Sequence, residues 1–265
     1  MAKTIAITNQ KGGVGKTTTA VNLAASLVAT KRSVLLIDLD PQANATTGSG
    51  VDKFSLEQSI VDVLVDTTPV EDVIATVESG FDLLPATRDL TVATIELLDS
   101  AEKETRLKTV LAPIVDKYDY IIIDCPPTLN MLTLNALTAA NSVLIPMQCE
   151  YFSLEGLTSL LDTIDQVQET VNPGLQLEGI LRTMYDARNR LTNDINMQLQ
   201  EHFGDKVFNT KIPRNVRLAE SPSYGMPVID YDAKCAGSEA YLALAGEMIA
   251  PAGGGIGELK TRTNL

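Results

Sequence analysis

Asn9-Gln10-Lys11-Gly12-Gly13-Val14-Gly15-Lys16-Thr17-Thr18 is the stretch whose reading decides the fold. The apolar run Thr4-Ile5-Ala6-Ile7 precedes it and an amphipathic pattern over residues 16–30 follows it. It therefore reads as a strand, a glycine-rich turn and the first turn of a helix. Gly12, Gly13 and Gly15 let the backbone approach an anion closely and adopt positive φ. Successive N–H groups and the helix N-terminus then face phosphates. Lys16 brings a point charge to the β- and γ-phosphates, and the Thr17 hydroxyl can ligate Mg²⁺. The strict spacing G-x-x-x-x-G-K-[ST] is not met, because Gln10 stands where the first glycine belongs. An extra lysine, Lys11, stands at the loop entrance. It has two possible destinations: its own triphosphate, or that of a partner subunit across a dimer interface.

Outward from this loop, Val34-Leu35-Leu36-Ile37, Tyr120-Ile121-Ile122-Ile123 and Val143-Leu144-Ile145 read as further strands buried on both faces. Residues 177–183 and 207–212 are weaker candidates. Helical patterns cover residues 129–140, 154–171, 191–202 and 237–249. The alternation predicts an α/β fold of the P-loop NTPase kind, with a mostly parallel, doubly wound sheet and helices on both faces. Residues 1–250 are expected to form one domain. Thr46 to Gly50 reads as a small, polar, flexible loop, and residues 251–265, opening on Gly253-Gly254-Gly255, as a flexible C-terminal tail.

Ligand groups in open α/β sheets collect at the carboxyl ends of strands. Asp38-Leu39-Asp40-Pro41-Gln42 ends the second strand, so both aspartates belong near the phosphates. A carboxylate at Asp40 can position or deprotonate an attacking water, or it can cap a following turn. Tyr120-Ile121-Ile122-Ile123-Asp124 has the form of a Walker B segment, whose aspartate holds Mg²⁺. Thr17, Asp40 and Asp124 are thus the candidate metal-site residues, and Lys11, Lys16 and Asp40 the catalytic candidates.

The 265 residues are 45% hydrophobic, which excludes a disordered chain. No run of about 18 apolar residues is present, so a spanning helix is excluded, and no signal peptide is read. Three scattered cysteines, Cys125, Cys149 and Cys235, read as buried reduced thiols, and the one histidine, His202, as a surface residue near a helix end. A net charge of -13 confines any nucleic-acid contact to a local basic strip. The strip would be Arg188 and Arg190 with Lys211, Arg214 and Arg217, unless these are ordinary solvated cations.

Lys11-Gly12-Gly13-Val14-Gly15-Lys16-Thr17 resembles the deviant Walker A box of the ParA/MinD ATPases. The Asp38 to Gln42 and Asp124-Cys125-Pro126-Pro127 segments resemble the ParA/Soj branch. So do Gln148 to Gly156 and Ile212 to Tyr224, and the likeness covers residues 3–250. Ala43 departs from the glycine common after Asp-Pro-Gln. The resemblance implies ATP and Mg²⁺ as cofactors, with Lys11, Gly12, Gly13, Val14, Gly15, Lys16, Thr17 and Thr18 around the phosphates. It implies Met184, Pro213, Arg214 and Asn215 around adenine and ribose, and Arg188 and Arg217 at DNA. It further implies an ATP sandwich homodimer in which Lys11 contacts the partner's nucleotide, and non-specific DNA binding. Slow ATP hydrolysis would be stimulated by a ParB-type centromere-binding protein to segregate chromosome or plasmid. The expected location is cytoplasmic and nucleoid-associated, with no membrane partner.

Rival readings share the loop. A ParA-like ATPase that positions a protein cargo keeps the same cycle. A MinD-like membrane-cycling ATPase needs a basic amphipathic C-terminal helix, which residues 253–265 lack. An iron–sulfur reductase needs two well-placed cysteines per chain, and neither Cys125 nor Cys149 is persuasive. A small-molecule ligase or kinase should carry extra substrate-binding carboxylates or arginines, and none stands out.

Overall fold

The computed structural model describes residues 2–250 except Thr67 and Ser100. The tail predicted for residues 251–265 lies outside the described residues. Eight strands make one sheet: β1 (Lys3–Ile7), β2 (Val34–Asp38), β3 (Ala75–Thr76), β4 (Asp82–Leu84), β5 (Tyr120–Asp124), β6 (Ser142–Gln148), β7 (Gln176–Tyr185) and β8 (Val207–Pro213). Their order is β3-β4-β2-β5-β1-β6-β7-β8, and every pairing is parallel except β3 with β4.

Alternate residues of the central strands feed two separate cores, which is why these strands read as unbroken apolar runs. Ala6, Leu35, Ile37, Ile121, Ile123, Val143 and Ile145 face one layer, with Leu90, Leu132, Leu157 and Ile195 from the helices Leu90–Leu98, Met131–Ala139, Ser153–Thr170 and Arg190–Phe203. Ile5, Ile7, Leu36, Ile122 and Leu144 face the other, with Leu23 of the Lys16–Ala29 helix and Leu244 of Ala236–Ile249. Each of the Val, Leu and Ile side chains among them contributes roughly 1.5–3 kcal/mol on burial. The last two helices are also tied by a hydrogen bond between the Thr19 and Tyr241 hydroxyls at 3.1 Å.

The chain winds to one side of β1 through β2 and β4, returns at β5, and leaves on the other side through β6 to β8. The carboxyl end of β1 is therefore the place where the connection direction reverses, and ligand crevices form at such places.

Several expectations need correction. The Thr46–Gly50 stretch is not a flexible polar loop: Asn44–Gly48 is helical, and Thr46 is wholly buried. Its hydroxyl and amide have buried partners, so polarity there marks a satisfied network rather than solvent. Residues 51–118, where no element was predicted, hold β3 and β4. They also hold the short helices Ile60–Leu64, Val70–Val73, Leu90–Leu98 and Arg106–Leu111. Among the described residues no helix is long and apolar enough to cross a membrane. His202 is exposed in the last turn of its helix, as expected. Cys125 and Cys149 are buried free thiols, whereas Cys235 is only half-buried and N-caps the Ala236–Ile249 helix.

Candidate functional site

The turn after β1 is held from both sides. Asn9 donates its side-chain amide to the Pro146 carbonyl at 2.8 Å and accepts the Lys11 N–H at 2.9 Å. The Thr183 hydroxyl donates to the Val14 carbonyl at 2.8 Å, and the Gln148 amide donates to the Gly13 carbonyl at 3.1 Å. Asn9, Gln148 and Thr183 were not singled out as site residues. Gln148 and Thr183 stand at the carboxyl ends of β6 and β7, so the rule that found Asp38 and Asp124 reaches them too.

Within the turn Gly13 has φ 73° and Gly15 φ 88°, a left-handed backbone that L side chains resist. Gly12 does not take positive φ, which corrects the expectation for it. Space for a Cβ is open at Gly12 and Gly13, so the solvent side of the loop is clear. Gly15 caps the Lys16–Ala29 helix without a side-chain bond, leaving its first N–H groups free for an anion.

Lys16 is buried, at 7% exposure, with its ammonium 3.3 Å from the Lys11 carbonyl. Burial lowers its pKa, while the carboxylates of Asp124 and Asp40 pull it back up. Lys11 points elsewhere: its ammonium pairs with Glu150 at 2.5 Å, on the exposed rim. Of its two possible destinations, the free chain does not use its own phosphate loop.

Asp38 and Asp124 end β2 and β5 side by side in register, and Ile7 of β1 is also opposite Asp124. Neither carboxylate oxygen of Asp124 has a hydrogen-bond partner of ordinary geometry, though both are sealed from solvent. Burial first, then the Asp38 charge, raise the Asp124 pKa well above the carboxylate range; the nearby Thr17 hydroxyl and Lys16 only partly offset this. Asp38 is pushed up to about 6, chiefly by burial, against the lowering effect of its bonds from Thr46 and Asp40. Asp40 is 8% exposed and accepts the Gln42 N–H at 2.9 Å.

A buried carboxylate without partners is costly unless it is protonated or meets a cation. Among the described residues no three His, Cys, Asp or Glu side chains converge into a metal cage. That donor set fits Mg²⁺, which binds through one or two carboxylates together with phosphate oxygens. Thr17 and Asp124 are placed to supply the protein's share.

The remaining predicted residues fall into two groups. Met184, the last residue but one of β7, has φ 48°, unusual for a bulky side chain, and its sulfur takes the Gln148 amide at 2.8 Å. Pro213 lies opposite Tyr185, bringing Met184, Pro213 and Arg214 to adjacent strand ends. Asn215 already uses its side-chain oxygen to cap the Val216–Glu220 helix, accepting the Arg217 and Leu218 N–H groups, so only its amide nitrogen is free for a ligand. A groove of about 640 Å³ opens beside them, lined by Tyr185, Lys211, Pro213, Ala236 and Glu239.

The basic candidates are exposed, and Arg188, Arg190 and Arg217 are ion-paired. Asp186 forks Arg188 at 2.8 and 2.9 Å, and Arg188 holds its carboxyl down at about 2. Arg217 meets Glu220 at 2.9 Å and Asp232 at 3.3 Å. Arg190 lies 3.8 Å from Asp194, and Lys211 sits over the Tyr185 ring. Surface pairs of this kind are weak and can be displaced by phosphate.

Comparison with known proteins agrees with this geometry. Residues 2–177 match the family model described as AAA domain. The chain is 53% identical to the sporulation initiation inhibitor protein Soj of Bacillus subtilis, covering 94% of this chain and 99% of that one. It is 50% identical to the chromosome partitioning protein ParA of Caulobacter vibrioides, covering 93% and 94%. Among solved structures, the cobyrinic acid a,c-diamide synthase of Mycobacterium smegmatis with bound ADP and magnesium aligns with TM-score 0.82 at 38% identity, covering 93% of each chain. With a glycine turn at the reversal point of a parallel sheet and a buried lysine facing aspartates, the chain belongs to the ParA/Soj family of chromosome-partitioning P-loop ATPases.

Proposed function

We propose that this chain is a DNA-partitioning ATPase that binds Mg²⁺-ATP at the Gly12–Thr18 turn and closes as an ATP sandwich homodimer. The dimer binds DNA without sequence preference, and a ParB-type protein stimulates hydrolysis. The observation that carries the reading is the convergence of the buried Lys16 with the unpartnered Asp124 carboxylate beside a turn of free N–H groups. Bound Mg²⁺ supplies charge neutralisation at the β- and γ-phosphates. Lys16 compensates the same phosphates from within the chain, and Thr17 and Asp124 hold the ion. Asp40 orients the attacking water and receives its proton. Met184, Pro213, Arg214 and the free amide of Asn215 border the base and ribose.

Lys11 supports the dimer. Its pairing with Glu150 keeps the cation on the rim of the site, from which it can cross to a partner's phosphates when two copies meet face to face. Asp40→Ala is expected to keep ATP affinity within about threefold while turnover falls ~100-fold or more. The dimer then persists, read by size exclusion with ATP; rapid turnover in this variant would remove Asp40 from its role.

DNA contact falls to Arg188 and Arg217 with Arg190, Lys211 and Arg214. A tight seam links them to the site: a Cβ on Gly50 would lie 2.8 Å from the Gly225 carbonyl oxygen, and both glycines have positive φ. Gly50 follows the Asn44–Gly48 helix behind Asp40, and Gly225 closes the turn after the helix of Arg217. Movement at one therefore presses on the other. A dimer also doubles the number of phosphate contacts, which steepens salt dependence and lets ATP control DNA affinity. Arg217→Glu is expected to weaken DNA binding and flatten the log K against log salt slope by about 1 per subunit. ATP-dependent dimerisation should survive; wild-type DNA affinity at matched salt contradicts the assignment.

A further inference from the structure

We propose that Thr46 is a positioning residue for ATP hydrolysis, fixing the Asp38 carboxylate and through it the course of the Asp40 loop. The proposal rests on the hydrolytic role given to Asp40 above. Thr46 is wholly buried in the Asn44–Gly48 helix. Its amide and its hydroxyl both donate to Asp38 Oδ2 at 2.7 Å. The same hydroxyl accepts the Ala86 N–H, from the segment that leaves β4, at 2.9 Å. Asp38 Oδ1 in turn accepts the Asp40 N–H at 3.1 Å, and the Asp40 carbonyl accepts the Ala43 N–H at 2.8 Å. The loop between β2 and this helix is thus closed into a ring of hydrogen bonds with Thr46 at its far side.

Only a hydroxyl satisfies both neighbours, because one atom must give a proton to a carboxylate and take one from an amide. Valine has the same shape and can do neither. Without the hydroxyl, Asp38 keeps the amide bond but loses half the restraint on Oδ2. The carboxylate is then free to rotate beside Asp124, its register neighbour, and the Asp40 N–H loses a fixed acceptor. The backbone strain in this loop makes that freedom matter. Ala43 sits at φ 52°, ψ 43°, a left-handed conformation costing an L-residue roughly 1–2 kcal/mol, so the loop is held by its bonds and not by its own preference.

Three variants test this: Thr46→Val, Thr46→Ser and Thr46→Ala. Thr46→Val is expected to lower kcat at least ~10-fold with ATP Kd changed less than about threefold, since small misplacements near reacting groups carry such costs. In nucleotide-free protein, amide exchange across residues 39–46 should speed up in Thr46→Val. Thr46→Ser, which keeps the hydroxyl, should restore wild-type kcat and exchange, and Thr46→Ala, which also lacks it, should behave like Thr46→Val. If Thr46→Val fails to show a cooperative thermal transition, Thr46→Ala decides by the same two readouts. Wild-type kcat in the folded variant, unchanged exchange, loss of ATP affinity in step with kcat, or failure of serine to rescue would each overturn the proposal. Wild-type turnover in Asp40→Ala beside a slow Thr46→Val would instead sink only the role of Asp40.

Discussion

Lys16→Ala should abolish ATP binding at physiological concentrations, with Kd rising ~100-fold or more. A charge-assisted hydrogen bond is worth about 1.5–3 kcal/mol, and the lost ammonium serves more than one phosphate oxygen. The local field makes the loss worse. Burial lowers the pKa of Lys16, and the carboxyl groups of Asp124 and Asp40 facing it oppose that shift. Without Lys16, a triphosphate would enter a pocket whose nearest charged groups are Asp38, Asp40 and Asp124. Lys11 does not stand in for it in the free chain, because its ammonium lies out on the rim beside Glu150 and not in the turn. Titration with a fluorescent ATP analogue and Mg²⁺ measures the effect. An unchanged Kd in a variant that still unfolds cooperatively would contradict the phosphate-loop assignment.

The parts of this site that were legible in the sequence are those whose chemistry is local. The loop announces itself in ten consecutive residues, and Asp124 by ending a strand with no polar residue between Ile121 and Ile123. The four strands read most clearly, β1, β2, β5 and β6, are runs buried on both faces, where composition alone carries the signal, whereas β7 and β8 were weaker candidates and β8 is partly exposed. β3 and β4 have two and three residues, too short for any periodicity, and the helices of residues 51–118 have between four and nine. Partners far apart in the chain were equally silent. Gln148 reaches Gly13, Thr183 reaches Val14 and Glu150 reaches Lys11 only because β6 and β7 were wound in beside β1. Thr46 was misread for a different reason. A small polar residue looks the same in a solvated loop and in a buried hydroxyl bridge until its partners are known. Ala43 is the converse case: its departure from a common glycine was visible, and its left-handed backbone supplies the physical reason that glycine is common there.

Asp124→Asn separates what Asp124 costs the empty protein from what it gives the loaded one. Burial and the neighbouring Asp38 raise the pKa of Asp124, and Asp38 itself is raised to about 6. A carboxyl with a raised folded pKa holds a proton that the unfolded chain releases. Stability is therefore greatest below the unfolded value near 4 and falls as pH climbs to the folded value, staying low above it. For Asp38 alone the shift corresponds to a loss on the order of 3 kcal/mol by neutral pH. The metal-free protein should consequently melt several degrees lower at pH 8 than at pH 5. Asparagine removes the charge, and its amide can donate to the adjacent Asp38 carboxylate, so the variant should melt higher than wild type at pH 8 and show a flatter pH profile. With Mg²⁺ and ATP the order should reverse. Wild type gains stability by ligand linkage, whereas the variant gains little from Mg²⁺ and turns over at least ~100-fold more slowly. Melting curves at both pH values, with EDTA and with Mg²⁺-ATP, distinguish the two effects. A variant less stable than wild type when empty at pH 8 would mean that Lys16 and Thr17 fully compensate the Asp124 charge within the protein, and its place as the metal-binding carboxylate would be lost.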